Sequence, residues 1–211
     1  MTMKLEINKN KIDNWLKVNA CRIAELSLQA PANNEQFKEL ENVIGKPLPQ
    51  DFKELYLWHN GLTDADNFGS LFFGMDFFPI EQVTNKYMAL KKDIATHNSP
   101  LKIVDKEIDA SGTLNIGWIQ FGFDGSHTAL YLDLLPAQDG KYRQIIFLDD
   151  EYEAGILVAN STTELIEDFA NDLENGLYHL QADALEDGNH YLEPDGKIDI
   201  VNWQTSERWK R

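Results

Sequence analysis

The chain has 211 residues, 43% of them hydrophobic and 11% aromatic, so it can form a sizeable core and is not intrinsically disordered. Its 19 basic and 35 acidic residues give a net charge of −16, which argues against binding to nucleic acid or to anionic membranes. The single cysteine, Cys21, excludes an intramolecular disulfide. The first residues lack the apolar stretch of a signal peptide, and no apolar run approaches the roughly 20 residues that span a bilayer, so we expect a cytoplasmic protein.

Helical periodicity begins near the N-terminus. Apolar residues spaced three and four apart predict a first helix over Asn10–Ser27. Ile12, Leu16, Ile23 and Leu26 would lie near one face, which we expect to be buried.

Two further helices have clear start and stop signals. Asn33 predicts an N-cap, with Gln36 as its capping-box partner, and Gly45 suits the left-handed position after the end of that helix. Pro49 suits the first turn of a third helix, and Asn60-Gly61 is expected to end it.

The pattern changes to strands after a fourth helix that carries Ile80 and Tyr87. Apolar segments on either side of Asp124-Gly125 predict a hairpin with a two-residue loop. Such a loop would pair Trp118 with Tyr131.

Two more strands and a capped helix follow the hairpin. Gln144–Leu148 and Ile156–Ala159 are predicted strands, and Ser161, with Glu164 three residues later, predicts a helix N-terminus. Strands that follow one another without intervening helices indicate the α+β class. We expect a mixed, largely antiparallel twisted sheet packed against several helices in a single domain.

The negative charge is concentrated in one part of the sequence. Residues 149–199 contain 15 acidic residues and one basic residue, a net charge of −14, whereas the other 160 residues have a net charge of −2. One interpretation is a solvated surface, and the other is a docking surface for a basic protein. The candidate partner-binding residues are Asp149, Asp150, Glu151, Glu153, Asp183, Glu186 and Asp187.

Strong catalytic motifs are absent from the sequence, including phosphate-binding glycine loops, zinc motifs and a nucleophilic serine elbow. His127 and Asp133 lie six residues apart, roughly 20 Å along a strand, which is too far for a catalytic pair. The acidic residues of 149–153 are the candidate ligands for a hard cation, but such consecutive acids between two strands more often form a solvated loop. We therefore predict no catalytic residues, no metal site and no cofactor.

Several segments together resemble the SUKH superfamily. The resemblance covers about residues 33–178 and includes a Glu-x-x-Ile-Gly-x-x-Leu-Pro segment, a helix followed by Trp-His-Asn-Gly, and a hairpin with a tryptophan and an Asp-Gly turn. Departures from the signature include Gln120-Phe121, where a Pro-Ile pair is usual. The matching residues expected to have structural roles are Gly45, Pro49, Trp58, Asn60, Gly61, Trp118 and Asp133.

This resemblance implies a non-enzymatic binding scaffold. Bacterial members are viewed as immunity proteins against toxins, and fungal members as cell-wall assembly regulators. We therefore expect residues 1–32 to add an N-terminal helix, 33–178 to form the SUKH-like domain, and 179–211 to be an acidic extension packed on or beside it. The leading hypothesis is an immunity protein that binds a cognate, basic toxin domain, such as a nuclease. The alternatives are an intracellular regulatory scaffold and, more remotely, a metal-dependent hydrolase.

Overall fold

Apolar faces of several helices pack against one face of a sheet in the computed structural model, which describes residues 3–63, 69–94 and 98–211. Residues 1 and 2 of the expected N-terminal segment lie outside the described residues. The α-helices are α1 (Met3–Asn19), α2 (Asn34–Ile44), α3 (Gln50–Tyr56), α4 (Ile80–Asp93), α5 (Thr162–Glu174) and α6 (Ala182–Glu186). A π-helical turn covers Ile23–Ser27 and a 3-10 turn covers Phe72–Gly74.

The strands form a mixed sheet and a small separate hairpin. The main-sheet strands are β1 (Asp76–Phe77), β2 (Ile103–Val104), β3 (Trp118–Phe123), β4 (Thr128–Asp133), β5 (Gln144–Asp149) and β6 (Ala154–Ala159), in the order β1-β3-β4-β5-β6-β2. The β2–β6 pairing is parallel and the other pairings are antiparallel. Strands β7 (Tyr178–Leu180) and β8 (Leu192–Pro194) form the hairpin. The predicted α+β class is confirmed.

The register of the β3–β4 hairpin differs from the prediction. Trp118 pairs with Asp133 instead of Tyr131, and the register shifts between Gln120 and Gly122. The loop is longer than two residues because the Asp124 side chain accepts hydrogen bonds from the backbone N–H groups of Ser126 and Thr128. Up to Gln120 the observed partners are displaced by two residues, so Trp118 and Tyr131 still lie on one face of the sheet.

The first helix begins earlier and ends earlier than predicted. Helix α1 ends at Asn19, and a π-helical turn follows, in which the Leu28 N–H donates to the Ile23 carbonyl. A π-turn adds one residue per turn and rotates the later side chains away from the regular helical face. Leu26 is consequently 51% exposed, whereas Leu5 is buried on the inner face of α1.

The cap signals of α2 are confirmed, but the expected end of α3 is wrong. Asn33 and Gln36 form a reciprocal capping box, and Gly45 has a left-handed φ of 80°. Pro49 is the N-cap residue of α3, one position before its first turn. Helix α3 ends at Tyr56 instead of at Asn60-Gly61.

Both faces of the sheet contribute to hydrophobic clusters. Ile145 and Phe147 of β5 join the main core with the helices, whereas Ile146 and Leu148 pack with Trp118 on the opposite face. The C-terminal residues enter the main core through Trp203 and Trp209, among others. This segment therefore buries aromatic side chains in addition to carrying acidic ones.

Candidate functional site

The acidic residues of 149–153 occupy the turn between β5 and β6 and have different environments. Asp149 is only 3% exposed, and its carboxylate accepts hydrogen bonds from Trp203 Nε1 at 2.9 Å and from the Tyr152 backbone at 3.0 Å. Asp149 thus connects the turn to the C-terminal segment and is not available to contact a partner. Glu151 is exposed at the tip of the turn.

Basic residues lie beside two carboxylates of this turn. Asp150 faces His127, with Nδ1 and Oδ1 3.3 Å apart, and Glu153 forms an ion pair with Lys102. Partial loss of hydration and the neighbouring Asp149 carboxylate raise the pKa of the exposed Asp150, while His127 acts in the opposite direction. Glu153 has a positive φ of 50°, and its carbonyl accepts from the backbone of Lys102. Of these residues, Asp150 and Glu151 present accessible negative charge.

The other predicted partner-binding residues are acidic side chains on α6 and at its C-terminal end. Asp183, Glu186 and Asp187 are exposed and form no ion pair with any residue that the structure describes. The loop after α6 packs against the start of the π-helical turn, where the Arg22 N–H donates to His190 Nδ1. The three carboxylates form an acidic patch, called the α6 patch below, on an element separate from the 149–153 turn.

Basic residues from other parts of the sequence neutralise much of the charge on α5. Lys4 and Lys11 of α1 pair with Glu167 and Glu174 at 2.7 and 2.8 Å. Helix α5 also carries Asp172, whose carboxylate accepts two hydrogen bonds from Arg208 at 2.6 and 2.7 Å. The net charge of −14 along the sequence is therefore not a single acidic surface in the fold.

The signature residues after α3 connect separate elements. Trp58 Nε1 donates to both carboxylate oxygens of Asp13 on α1 at 3.1 Å. Asn60 Oδ1 accepts the Ile80 N–H at 3.0 Å and so caps the start of α4. Gly61 has a φ of 76° and lies against the backbone just before Pro79. These contacts are structural, and sequence reasoning missed that Asn60 caps a different helix.

Trp118 and Asp133 occupy a buried position at one end of the β3–β4 pair. Asp133 is fully buried, and its carboxylate accepts from the Leu135 N–H and from Gln144 Nε2, both at 2.8 Å. Burial raises its pKa, although these two bonds and the Trp118 indole lower it in part. The carboxylate fixes the chain where β4 ends and β5 begins.

A cleft that sequence reasoning did not predict lies on the second face of the sheet. It consists of two adjoining cavities of about 430 and 380 Å³ that share lining residues of α4, β3, β4 and the segment 113–114. The first cavity is lined by Tyr87, Leu90 and Trp118, and the second extends to His127 and Asp150. The cleft thus leads from an apolar end beside α4 to the acidic turn after β5.

The described residues contain no group of three or more His, Cys, Asp or Glu side chains arranged to hold a metal ion. The same part of the chain contains no helix long and apolar enough to cross a membrane.

Comparison with known proteins identifies the family. The family described as SMI1/KNR4 (SUKH-1) matches residues 31–168, which is more than half of the chain. The chain belongs to the SMI1/KNR4 family. The resemblance to the SUKH superfamily in the sequence is therefore confirmed.

The relatives of this SMI1/KNR4 family member include fungal regulators. A KNR4/SMI1 homolog of Kluyveromyces lactis is 32% identical over 84 residues, which cover 40% of this chain and 15% of that protein. The cell wall assembly regulator SMI1 of Saccharomyces cerevisiae is 32% identical over 81 residues, covering 38% and 15%. The cell wall biosynthesis/cell cycle regulator smi1 of Schizosaccharomyces pombe is 22% identical over 213 residues, covering 94% and 40%. The chain therefore spans well under two thirds of the length of these relatives.

Proposed function

We propose that this SMI1/KNR4 family member is a non-enzymatic binding protein that acts in the cytoplasm as an immunity protein and neutralises one cognate toxin domain. The observation that carries the proposal is the α6 patch of Asp183, Glu186 and Asp187, whose exposed carboxylates lack basic partners among the described residues. An acidic field of this kind accelerates association with a basic partner. Toxins that cleave nucleic acid must bind phosphate and tend to carry basic clefts, so they fit such a surface.

The acidic contact surface proposed here is smaller than the sequence alone suggests. It includes Asp150, Glu151 and the α6 patch, whereas Asp149 is buried and Glu153 is paired with Lys102. The proposal assigns binding, not catalysis, to these carboxylates and requires no cofactor.

The test begins with the gene next to the one that encodes this chain. If that gene encodes a secreted protein with a basic C-terminal domain, the domain should co-purify with this chain and lose its toxicity when the two are co-produced. Failure of the pure proteins to associate would contradict the immunity role.

Charge reversal then tests the acidic surface. Asp183→Lys with Glu186→Lys should slow association about tenfold at low salt, because long-range steering depends on the α6 patch. The matched control, Glu39→Lys with Glu207→Lys, changes the net charge equally at exposed positions elsewhere and should have a much smaller effect. Equal rates for the two double variants would exclude steering by the α6 patch.

A second candidate function is a regulatory scaffold without a toxin partner. The names of the relatives in Saccharomyces cerevisiae and Schizosaccharomyces pombe, which describe cell wall regulators, favour it. Under this alternative, the neighbouring gene product would not bind, and a protein of the cell's own regulatory machinery would co-purify at stoichiometric levels and rebind when pure.

A further inference from the structure

The cleft on the second face of the sheet has two chemically different ends. We propose that it binds an extended segment of a partner protein, with an apolar side chain near α4 and a cationic side chain near Asp150. This inference rests on the proposed binding function and specifies how the partner is recognised.

The end near α4 suits an apolar side chain. Tyr87, Leu90, Leu114 and Trp118 line this cavity, whose volume of about 430 Å³ is that of an ordinary ligand pocket. Tyr87 and Trp118 are fixed in place, because the Tyr87 hydroxyl donates to the Ile116 carbonyl at 2.9 Å and Trp118 is 1% exposed. A preformed aromatic pocket loses little conformational entropy when it is filled.

The other end suits a cation. Asp150 lines this cavity with a side chain that is 67% exposed, and the exposed Glu151 follows it on the same turn. Burial and the negative charge of Asp150 raise the pKa of the Tyr131 hydroxyl in the floor of the cleft, which fits a negative potential there. Asp149, the last residue of β5, also lines this cavity and adds negative charge.

Lys86 lies between the two ends of the cleft. It favours a partner segment whose cationic side chain is near Asp150 and whose apolar side chain is near α4. Its Nζ lies over the rings of Phe78 and Phe123, 5.4 and 5.2 Å from their centroids, and it lines both cavities. A fixed cation in the middle of the cleft repels a cationic side chain there and restricts it to the Asp150 end. Asp93, the last residue of α4, also lines the first cavity and already has an interaction of its own.

The distance between the ends sets the length of the segment. Trp118 pairs with Asp133 at the end of β4, whereas Asp150 lies beside His127, which is just before the start of β4 and six residues from Asp133. Six residues along a strand span roughly 20 Å, which an extended chain covers in about six residues. The partner segment should therefore place a bulky apolar residue about six positions from an arginine or lysine.

Short peptides test this inference without knowledge of the partner. The probe is N-acetyl-Phe-Gly-Gly-Gly-Gly-Gly-Arg-amide, and the matched control replaces Arg with Glu. In a titration of the ¹⁵N-labelled chain, the Arg peptide should shift the amide signals of Leu114, Gln120 and Tyr131 with millimolar affinity. The Glu peptide should bind about fivefold more weakly or not at all. Absence of shifts at these residues, or equal affinity for both peptides, would overturn the inference.

Two substitutions locate the binding site. Asp150→Lys should reverse the preference between the peptides, and Thr113→Trp should abolish binding of both, because Thr113 lines both cavities. The matched charge control, Glu39→Lys, should bind like the unaltered chain, and circular dichroism verifies that each variant is folded. Unchanged peptide binding by Thr113→Trp would contradict the cleft as the site.

The outcomes separate this inference from the proposed function. If the toxin domain fails to bind while the Arg peptide binds in the cleft, the immunity role is contradicted and the cleft inference is supported. If the toxin domain binds and the peptides do not, the immunity role holds and the cleft inference is wrong.

Discussion

Gly61 lies where the backbone between α3 and α4 passes very close to another segment. It has a φ of 76°, and a Cβ atom there would lie 2.4 Å from the Pro79 nitrogen. Gly61→Ala should therefore combine left-handed strain with a clash against backbone that cannot move away. We expect the free energy of unfolding to fall by about 3 kcal/mol or more, measured by urea denaturation.

Gly45 provides the matched control for this prediction. Its φ of 80° is similar, but nothing lies within 4 Å of a Cβ added there. Gly45→Ala should cost only about 1 kcal/mol, from the backbone conformation alone. Equal losses for the two variants would show that the close approach at Gly61 contributes nothing.

Asp168 on α5 gives the chain a pH-dependent contribution to stability. Partial loss of hydration raises its pKa from 3.8 to about 6, and the nearby Glu164 and Asp172 carboxylates add to the shift, which Arg208 opposes. Its ionisation therefore opposes folding, and the penalty grows as the pH rises from the unfolded pKa near 3.8 through about 6. Asp168→Asn should raise the melting temperature at pH 8, and the gain should shrink toward pH 4. A gain in melting temperature that does not change with pH would contradict a role for the ionisation of Asp168.

At the scale of the elements, Asn60 connects the loop after α3 to the start of α4. Its Oδ1 accepts the buried N–H of Ile80, the first residue of α4. Asn60→Ala removes this cap and leaves the donor without a partner, so the free energy of unfolding should fall by about 2–3 kcal/mol. Asn33→Ala removes the solvent-exposed cap of α2 and should cost about 1 kcal/mol. Chemical denaturation of both variants provides the comparison.

Local signals predicted the elements well where one short segment determines the geometry. The Asn33 capping box, Gly45 and the Ser161 cap of α5 are all present. The errors occur where side chains compete with a local pattern or act across the chain. Asp124 extends the hairpin loop, and Asn60 caps a helix that begins 20 residues later.

The candidate site was only partly predictable from the sequence for the same reason. The sequence identified the acidic turn and the α6 patch, but Asp149 is buried because Trp203, 54 residues later, donates to it. The cleft consists of residues from α4, β3 and β4 and from the segment 113–114, so no local pattern indicates it.

At the scale of the whole molecule, the acidic quarter of the sequence is held in place by basic residues from both ends of the chain. Lys4 and Lys11 pair with α5 from the N-terminal side, and Arg208 does so from the C-terminal side. Arg211 also binds Asp105 with two hydrogen bonds of 2.7 Å. Charge that is concentrated in the sequence is thereby distributed in the fold, which leaves Asp150, Glu151 and the α6 patch exposed.

The Arg208–Asp172 pair is the strongest of these connections and should stabilise the whole fold. Asp172 is 5% exposed, so Arg208→Ala would leave a largely buried carboxylate without its cation. Because Arg208 itself is partly exposed, we expect a loss of about 2 kcal/mol in the free energy of unfolding. Asp172→Asn should lower the free energy of unfolding by less than Arg208→Ala does. The neutral amide has the same shape as the carboxylate, and Arg208 retains contact with water. If the carboxylate causes the loss, adding Asp172→Asn to Arg208→Ala should restore part of the stability. A double variant as unstable as the sum of the single variants would instead indicate that the two side chains act independently.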